Sequence, residues 1–241
     1  MGILLIKNGR TMSQLQHSMF QSVFFPPEGE DGGNSDSELL LQKVLRFQAP
    51  SNRPIKSCRL VVFDFETTGL DTLNDQIIEI GGLIVENGQA KGEFSTLIKP
   101  DIPLPAAAAK ITGITEEMLA DKPSIEEELP KFLKFIEGSI LVAHNAEFDM
   151  AFLRNTCERL GYQIQWPSFC TLKLARALLP DLESKNLDTL AEHYQLSFEA
   201  RHRSIGDCKV TSAVLQSFLT KEGAHLQNWA DFEPYSVGIS K

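Results

Sequence analysis

The sequence predicts an α/β domain in which helices cover the faces of a mixed sheet. Three observations carry that expectation. A meander of strand patterns comes first, helical patterns interrupted by a short apolar strand follow Pro105, and 42% hydrophobic residues supply an ordinary packed core. Leu60 to Glu66 reads as the first strand and is apolar on both faces, since Leu60 and Val62 point one way and Val61, Phe63 and Phe65 the other. Such a strand belongs at the centre of a sheet. Ile77 to Glu86 and Glu93 to Lys99 follow, with Asn87-Gly88 as the hairpin turn between them. Helical spacing then marks Ser124 to Glu137, Ala146 to Leu160, Thr171 to Leu179, Leu187 to Tyr194 and Asp207 to Leu219, with Ile140 to Ala143 as the interrupting strand.

Ahead of this domain, residues 1–57 read as an extension. Pro26 to Glu38, PPEGEDGGNSDSE, has the composition of a flexible acidic linker (26–38). Behind Asp36 or Ser37 as N-cap, Leu40, Leu41, Val44 and Leu45 recur at helical spacing and predict a short helix over 37–48. The main domain is expected over 58–221, and residues 222–241 as a loose tail.

The chain carries 23 Lys and Arg against 32 Asp and Glu, a net charge of −9, and five of the negative charges lie in the linker. Bulk coating of long nucleic acid needs many cationic contacts to phosphates, so an acidic chain argues against that mode but not against nucleic acid held at one end. No apolar run approaches the roughly 18 residues of a membrane span. The start, Met1 to Ile6, has neither the charge order nor the length of a secretory signal. Cys58, Cys157, Cys170 and Cys208 form no C-x-x-C pair, which favours reduced thiols and a cytoplasmic location.

Four acids stand where burial is expected. Asp64 and Glu66 are two apart on the central strand, so the pleat sends both to one face, about 6 to 7 Å apart at the carboxyl end. Taken alone, a D-x-E pair also reads as the first residues of a solvated loop. On the helix from Ala146, Phe148, Phe152, Leu153, Thr156 and Leu160 form one side, Glu147, Arg154 and Glu158 the other, and Asp149 lies within the apolar side. The last helix repeats the pattern: Val210, Thr211, Val214, Leu215 and Phe218 are its inward stripe, Lys209, Ser212 and Gln216 its outward one, and Asp207 belongs to the inward stripe. Capping is the other reading for each acid, with Asn145 starting the first helix and Ser204 to Asp207 spaced as a capping box.

Four buried, ionised carboxylates must be protonated, paired with bases or bound to cations. No Lys or Arg falls on the inward faces of these elements. Hard divalent cations, Mg²⁺ or Mn²⁺, take carboxylate and water oxygens. Two of them about 3.5 to 4 Å apart clamp the attacking and leaving oxygens of an in-line phosphoryl displacement. His202, five residues before Asp207, then has the chemistry of a general base, because an imidazole near pKa 6.5 accepts a proton from an attacking water. Arg201 and Arg203 beside it favour the neutral ring and are also suited to a phosphate.

VVFDFETTGL at 61–70, HNAEFDMAFL at 144–153 and HRSIGD at 202–207 resemble the three motifs of the DEDD 3′–5′ exonucleases, and the H-x4-D spacing of the third resembles the DEDDh branch. IIEIGGLIV at 77–85, ITGIT at 111–115 and CTLKLAR at 170–176 also look like the members of that branch found as proofreading epsilon subunits of bacterial DNA polymerase III and as exonuclease domains of Gram-positive replicative polymerases. The resemblance spans about 58–220. It implies a ribonuclease H-like fold with a five-stranded mixed sheet, two divalent metal ions, and nucleoside 5′-monophosphates released from the 3′ end of single-stranded or frayed DNA in proofreading or repair. By it, Asp64 bridges both metals, Glu66 and Asp207 complete the site that holds the nucleophilic water, Asp149 holds the second ion, and His202 is the general base. Thr67, Thr68 and Leu70 would seat the terminal nucleotide. Asn145 and Phe148 either line the cleft or serve capping and packing, and Glu79 and His144, which match as well, read as structural.

Two departures bear on partners. The epsilon-type subunits carry a long polymerase-binding segment after the domain, whereas only about twenty residues follow Leu219 here. At the other end, Gln16-His17-Ser18-Met19-Phe20 resembles the peptide by which replication proteins dock on the sliding clamp; a disordered tail with scattered apolar residues is the alternative. Rival functions are a 3′–5′ exoribonuclease of the same family, a replisome adaptor acting mainly through residues 1–48, and, more distantly, a small-molecule hydrolase.

Overall fold

The computed structural model describes residues 43–237. Gln16 to Phe20, the linker and the start of the expected helix lie outside the described residues. Where that helix enters them, the chain is instead a strand, β1 (Lys43–Arg46), in a two-stranded sheet with β6 (Tyr162–Gln165). Its local periodicity yields to pairing: Phe47 N–H continues the bonding to Gln165 O at 3.1 Å, and the Phe47 ring lies 6.2 Å from that of Trp166. The compact unit accordingly begins at Val44, earlier than expected.

The main sheet has five strands in the order β4-β3-β2-β5-β7: β2 (Leu60–Thr67), β3 (Ile77–Glu86), β4 (Gln89–Leu97), β5 (Ile140–Ala143) and β7 (Ser168–Cys170). The β2–β3 and β3–β4 pairs are antiparallel, while β2–β5 and β5–β7 are parallel, which gives the mixed sheet. Asn87 and Gly88 take positive φ of 52° and 73°, the twist a two-residue hairpin needs. The helices are α1 (Ala106–Thr112), α2 (Glu116–Leu119), α3 (Ile125–Phe135), α4 (Ala146–Arg159), α5 (Thr171–Leu178), α6 (Leu187–Tyr194) and α7 (Ser204–Thr220). α1, α2, β6 and β7 have three to seven residues each and had no periodic signature to find.

The pleat of β2 divides the core. Phe63 and Phe65 pack on α3 through Phe132, their rings 5.3 to 6.2 Å apart. Leu60 and Val62 join Val210, Val214 and Phe218 of α7 on the opposite face. Gly81 and Gly82 let the layers close on β3: a Cβ at Gly81 would stand 2.5 Å from the carbonyl carbon of Ser204, and one at Gly82 2.8 Å from the Phe135 ring.

Residues 222–237 do not form the loose tail expected of them. Trp229–Tyr235 is a 3₁₀ segment in which Trp229 and Phe232 are buried against Phe169, with Phe169 and Phe232 centroids 4.8 Å apart. Val237 N–H donates to Ser168 O, so this segment covers the outer edge of β7. The four cysteines are free and buried. Among the described residues no helix is long and apolar enough to cross a membrane.

Candidate active site

The row Leu60, Val62, Asp64, Glu66 changes from apolar to acidic along one face of β2. Where it turns acidic, the valines of α7 give way to the first turn of that helix and Asp207 arrives, 5% exposed. Asp149 enters from the neighbouring strand. β5 pairs with β2 only through Val62, so further on the β2 amides facing that side have no ladder partner. Asp149, in the first turns of the helix that follows β5, accepts one of them, Phe65 N–H, at 3.2 Å through Oδ1. Three chain segments thus bring four carboxylates together, Glu66, Asp149 and Asp207 each within electrostatic reach of Asp64. His202 completes the group, for Glu66, His202 and Asp207 offer ligand atoms all within 4.8 Å of one another.

The electrostatics follow from crowding and burial. Desolvation raises the Asp64 carboxyl well above its usual range, and repulsion from Asp149, Glu66 and Asp207 adds to it. Burial first, then Asp207 and Glu79, pushes Glu66 up to about 8. Asp149 is also raised by burial, against the pull of the Phe65 amide. Asp207 rises to about 6, burial outweighing the nearby Arg201. Burial and then Arg201 hold the His202 imidazole below its ordinary value, so the neutral ring prevails at pH 7.

Arg201 corrects the expectation that no base faces this cluster. Its Nη1 lies 2.5 Å from Asp207 Oδ2, while Nε and Nη2 hold Asp188 at 2.7 and 3.1 Å. The inward faces of the helices do not reveal it, because Arg201 reaches back from the loop before α7. Arg203 is not placed for a phosphate: its Nε and Nη2 donate to Glu79, at 2.6 Å for the shortest bond, and Ser204 N–H donates to the same carboxylate at 2.9 Å. Glu79 thus ties β3 to the loop that carries His202, whose backbone sits at a φ of 57°.

The side-chain caps expected at Asn145 and Ser204 do not form, although Asp149 accepts from its own backbone amide and Asp207 from that of His202. Asn145 has a left-handed backbone, with φ 68°, and no side-chain cap bond. Ser204 lies inside α7 rather than at its cap, its Oγ has no hydrogen-bond partner among the described residues, and the Asp207 side chain meets Arg201. Thr67 donates its hydroxyl to Gly69 O at 2.6 Å, and Thr68 donates to Asp75 at 2.8 Å, so both side chains brace the loop after β2. Leu70 projects into solvent at 83% exposure. Asn145 lines a cleft with Asp64, whereas Phe148 packs its ring on Phe152 at 4.9 Å. His144 bonds Thr171 Oγ1 through Nδ1 at 3.0 Å and lines the same cleft; burial lowers its pKa to about 4.

These donors fit hard divalent cations. They are carboxylate oxygens in excess of their counter-charges, and Asp207 Oδ1 is buried without a hydrogen-bond partner among the described residues.

A family model for the RNase_T exonucleases matches residues 61–215. The DNA polymerase III PolC-type protein of Caldanaerobacter subterraneus subsp. tengcongensis is 44% identical over 161 residues, covering 67% of this chain and 12% of that protein. The DNA polymerase III subunit epsilon of Aquifex aeolicus is 38% identical over 160 residues, 66% of this chain and 79% of that one. The chain therefore spans a small part of the PolC-type relatives and most of the length of the epsilon subunit. Exonuclease X, solved with 5′-overhanging duplex DNA, superposes with a TM-score of 0.56 at 33% identity over 68% of this chain and 93% of that one. E. coli Exonuclease I, solved with a dT13 oligonucleotide, shares the fold with a TM-score of 0.64 at 19% identity over 70% of this chain and 42% of that one.

Proposed function

From the premise that this chain belongs to the RNase_T exonuclease family, we propose that it is a metal-dependent 3′–5′ exonuclease of the DEDDh type. It acts on single-stranded or frayed DNA ends and releases nucleoside 5′-monophosphates, in proofreading or repair. The observation that carries this reading is the convergence of Asp64, Glu66, Asp149 and Asp207 beside His202, all four carboxyls raised by burial in one another's company. The four carboxylates would hold two divalent cations, Mg²⁺ or Mn²⁺. When bound, these supply a water of lowered pKa and neutralise the charge that builds on the scissile phosphate.

The chain's own residues do the rest. His202, kept neutral, takes the proton of the attacking water at a ring nitrogen beside Glu66 and Asp207. The Arg203–Glu79 pair fixes the loop that presents His202, which spares the reaction the cost of ordering it. DNA as substrate is supported by the relatives, among them a DNA polymerase subunit and an exonuclease solved with DNA.

The test is a 5′-labelled single-stranded DNA oligonucleotide incubated with Mg²⁺ or Mn²⁺, beside an RNA twin and an Asp64→Ala control. The reading expects a ladder that shortens from the 3′ end and vanishes with EDTA or in the variant. Faster shortening of the RNA twin would make the substrate RNA, and no shortening of either strand with either metal would overturn the catalytic reading.

A further inference from the structure

One wall beside the carboxylates has no task in that reaction. A cleft of about 690 Å³ reaches from Asp64 and Asp207 to the end of α5 and the segment leading into α6. Three cationic side chains, Arg176, Lys185 and Arg201, line it, with Glu183 as a third acid. In a chain of net charge −9, such a grouping beside an acidic site is contrary to the average composition.

The three cations differ in what already engages them. Arg201 is held by Asp188 and Asp207. Lys185 donates to the carbonyl oxygens of Pro180 and Leu182, which position the ammonium without cancelling its charge. Arg176 stands exposed in the last turn of α5, and among the described residues it makes no ion pair within 4 Å. A carboxylate within its electrostatic reach, Glu147, is paired instead with Lys173 at 2.8 Å.

We propose that this cleft is a binding site for the sugar-phosphate backbone of the strand upstream of the scissile bond, with Arg176 as its phosphate contact and Lys185 as a supporting charge. The proposal rests on the exonuclease reading of Asp64 and Asp207. A strand cut at those carboxylates continues away from them and carries one negative charge per nucleotide past an acidic surface. The cationic wall offsets that repulsion, and a planar guanidinium matches two phosphate oxygens at once. The same guanidinium also suits the phosphate of a released nucleoside 5′-monophosphate, so the experiment has to separate the two sources.

The full-length protein is assayed with Mn²⁺ on two substrates, a single-stranded oligonucleotide and the 5′-nitrophenyl ester of thymidine monophosphate. The ester keeps the terminal nucleotide and replaces everything upstream. Arg176→Gln is expected to raise KM for the oligonucleotide by about tenfold, the yield of one charge-assisted contact, and to leave the ester's kcat and KM unchanged. The slope of log KM against log salt should fall by about 0.7, one phosphate contact on a single strand. Arg176→Lys should restore part of the affinity. If Arg176→Gln instead weakened the ester and inhibition by thymidine monophosphate to the same degree, Arg176 would belong to the terminal nucleotide and the assignment would be wrong. Unchanged kinetics on both substrates would also overturn it while leaving the exonuclease reading intact. A wild-type protein inert toward both substrates would remove the exonuclease reading itself.

Discussion

Glu66 and Glu79 are cross-strand partners on β2 and β3, yet their surroundings are opposite. Glu79 is 1% exposed, and Arg203 and Ser204 N–H fill its oxygens. Glu66 faces Asp207, Glu79 and Asp149 with Arg201 as counter-charge, and its carboxyl is pushed up to about 8. The difference separates two uses of a buried acid. One whose counter-charge comes from the same chain holds elements together, while a group that exceeds its internal counter-charges has affinity for cations from solution.

That contrast breaks most visibly by substitution on the cluster side. Asp64→Asn should lower kcat on a DNA oligonucleotide by about 10³-fold or more, the scale of losing a preorganised electrostatic partner. Its melting temperature in EDTA should stay level or rise, because one charge leaves a repelling group. A collapse of the fold would show that Asp64 belongs with Glu79. His202→Ala should cost about 10²-fold in kcat, the lower range for a lost general base, with the fold intact by circular dichroism. On the scaffold side the order of effects reverses. Glu79→Ala strands the Arg203 guanidinium and the Ser204 amide, and because the Arg203 side chain is 37% exposed the cost should be about 2 kcal/mol, below the range for fully buried pairs. Urea unfolding measures it, and the protein that stays folded should turn over far faster than Asp64→Asn.

The dependence on pH sharpens the same comparison. The carboxyls of Asp64, Glu66, Asp149 and Asp207 are raised in the folded state, so the native protein binds protons more tightly there than the unfolded chain does. Their favourable contribution is present below the ordinary carboxylate range and is lost as pH climbs through about 6 for Asp207 and about 8 for Glu66. In EDTA the melting temperature should therefore fall between pH 5 and pH 8, since each tenfold gain in proton affinity on folding is worth about 1.4 kcal/mol. Adding Mn²⁺ should recover more at pH 8 than at pH 5.5. Equal recovery at both values would mean that ion and proton do not compete for the same oxygens.

The four acids that meet at the end of β2 are legible in the sequence because acids on apolar faces break a strong period, and Asp149 and Asp207 do so on long helices, whereas His202, in a loop, is legible only by its distance from Asp207. The sheet's centre is legible for the same reason, since β2 is apolar on both faces. Arg201 is not, because a loop has no period from which its direction follows. Gly81 and Gly82 do carry an unused signal: two glycines inside a strand mark close approach, and α7 and α3 make it from the two faces. Trp229 and Phe232 read as tail because a short 3₁₀ segment shows no pattern until β7 supplies the edge it covers. The helix expected over 37–48 fails at Lys43–Arg46, where pairing with β6 overrides local spacing.

The central claim is that the excess acids are a cation site built into the end of β2. Calorimetric titration of Mn²⁺ into the metal-free protein tests it most directly, with Asp64→Asn and Glu79→Gln alongside. The account predicts two bound ions in the wild type, affinity that weakens as pH drops from 8 to 6, loss of binding in Asp64→Asn and retained binding in Glu79→Gln. No heat at any pH, or binding that survives in Asp64→Asn and disappears in Glu79→Gln, would contradict it.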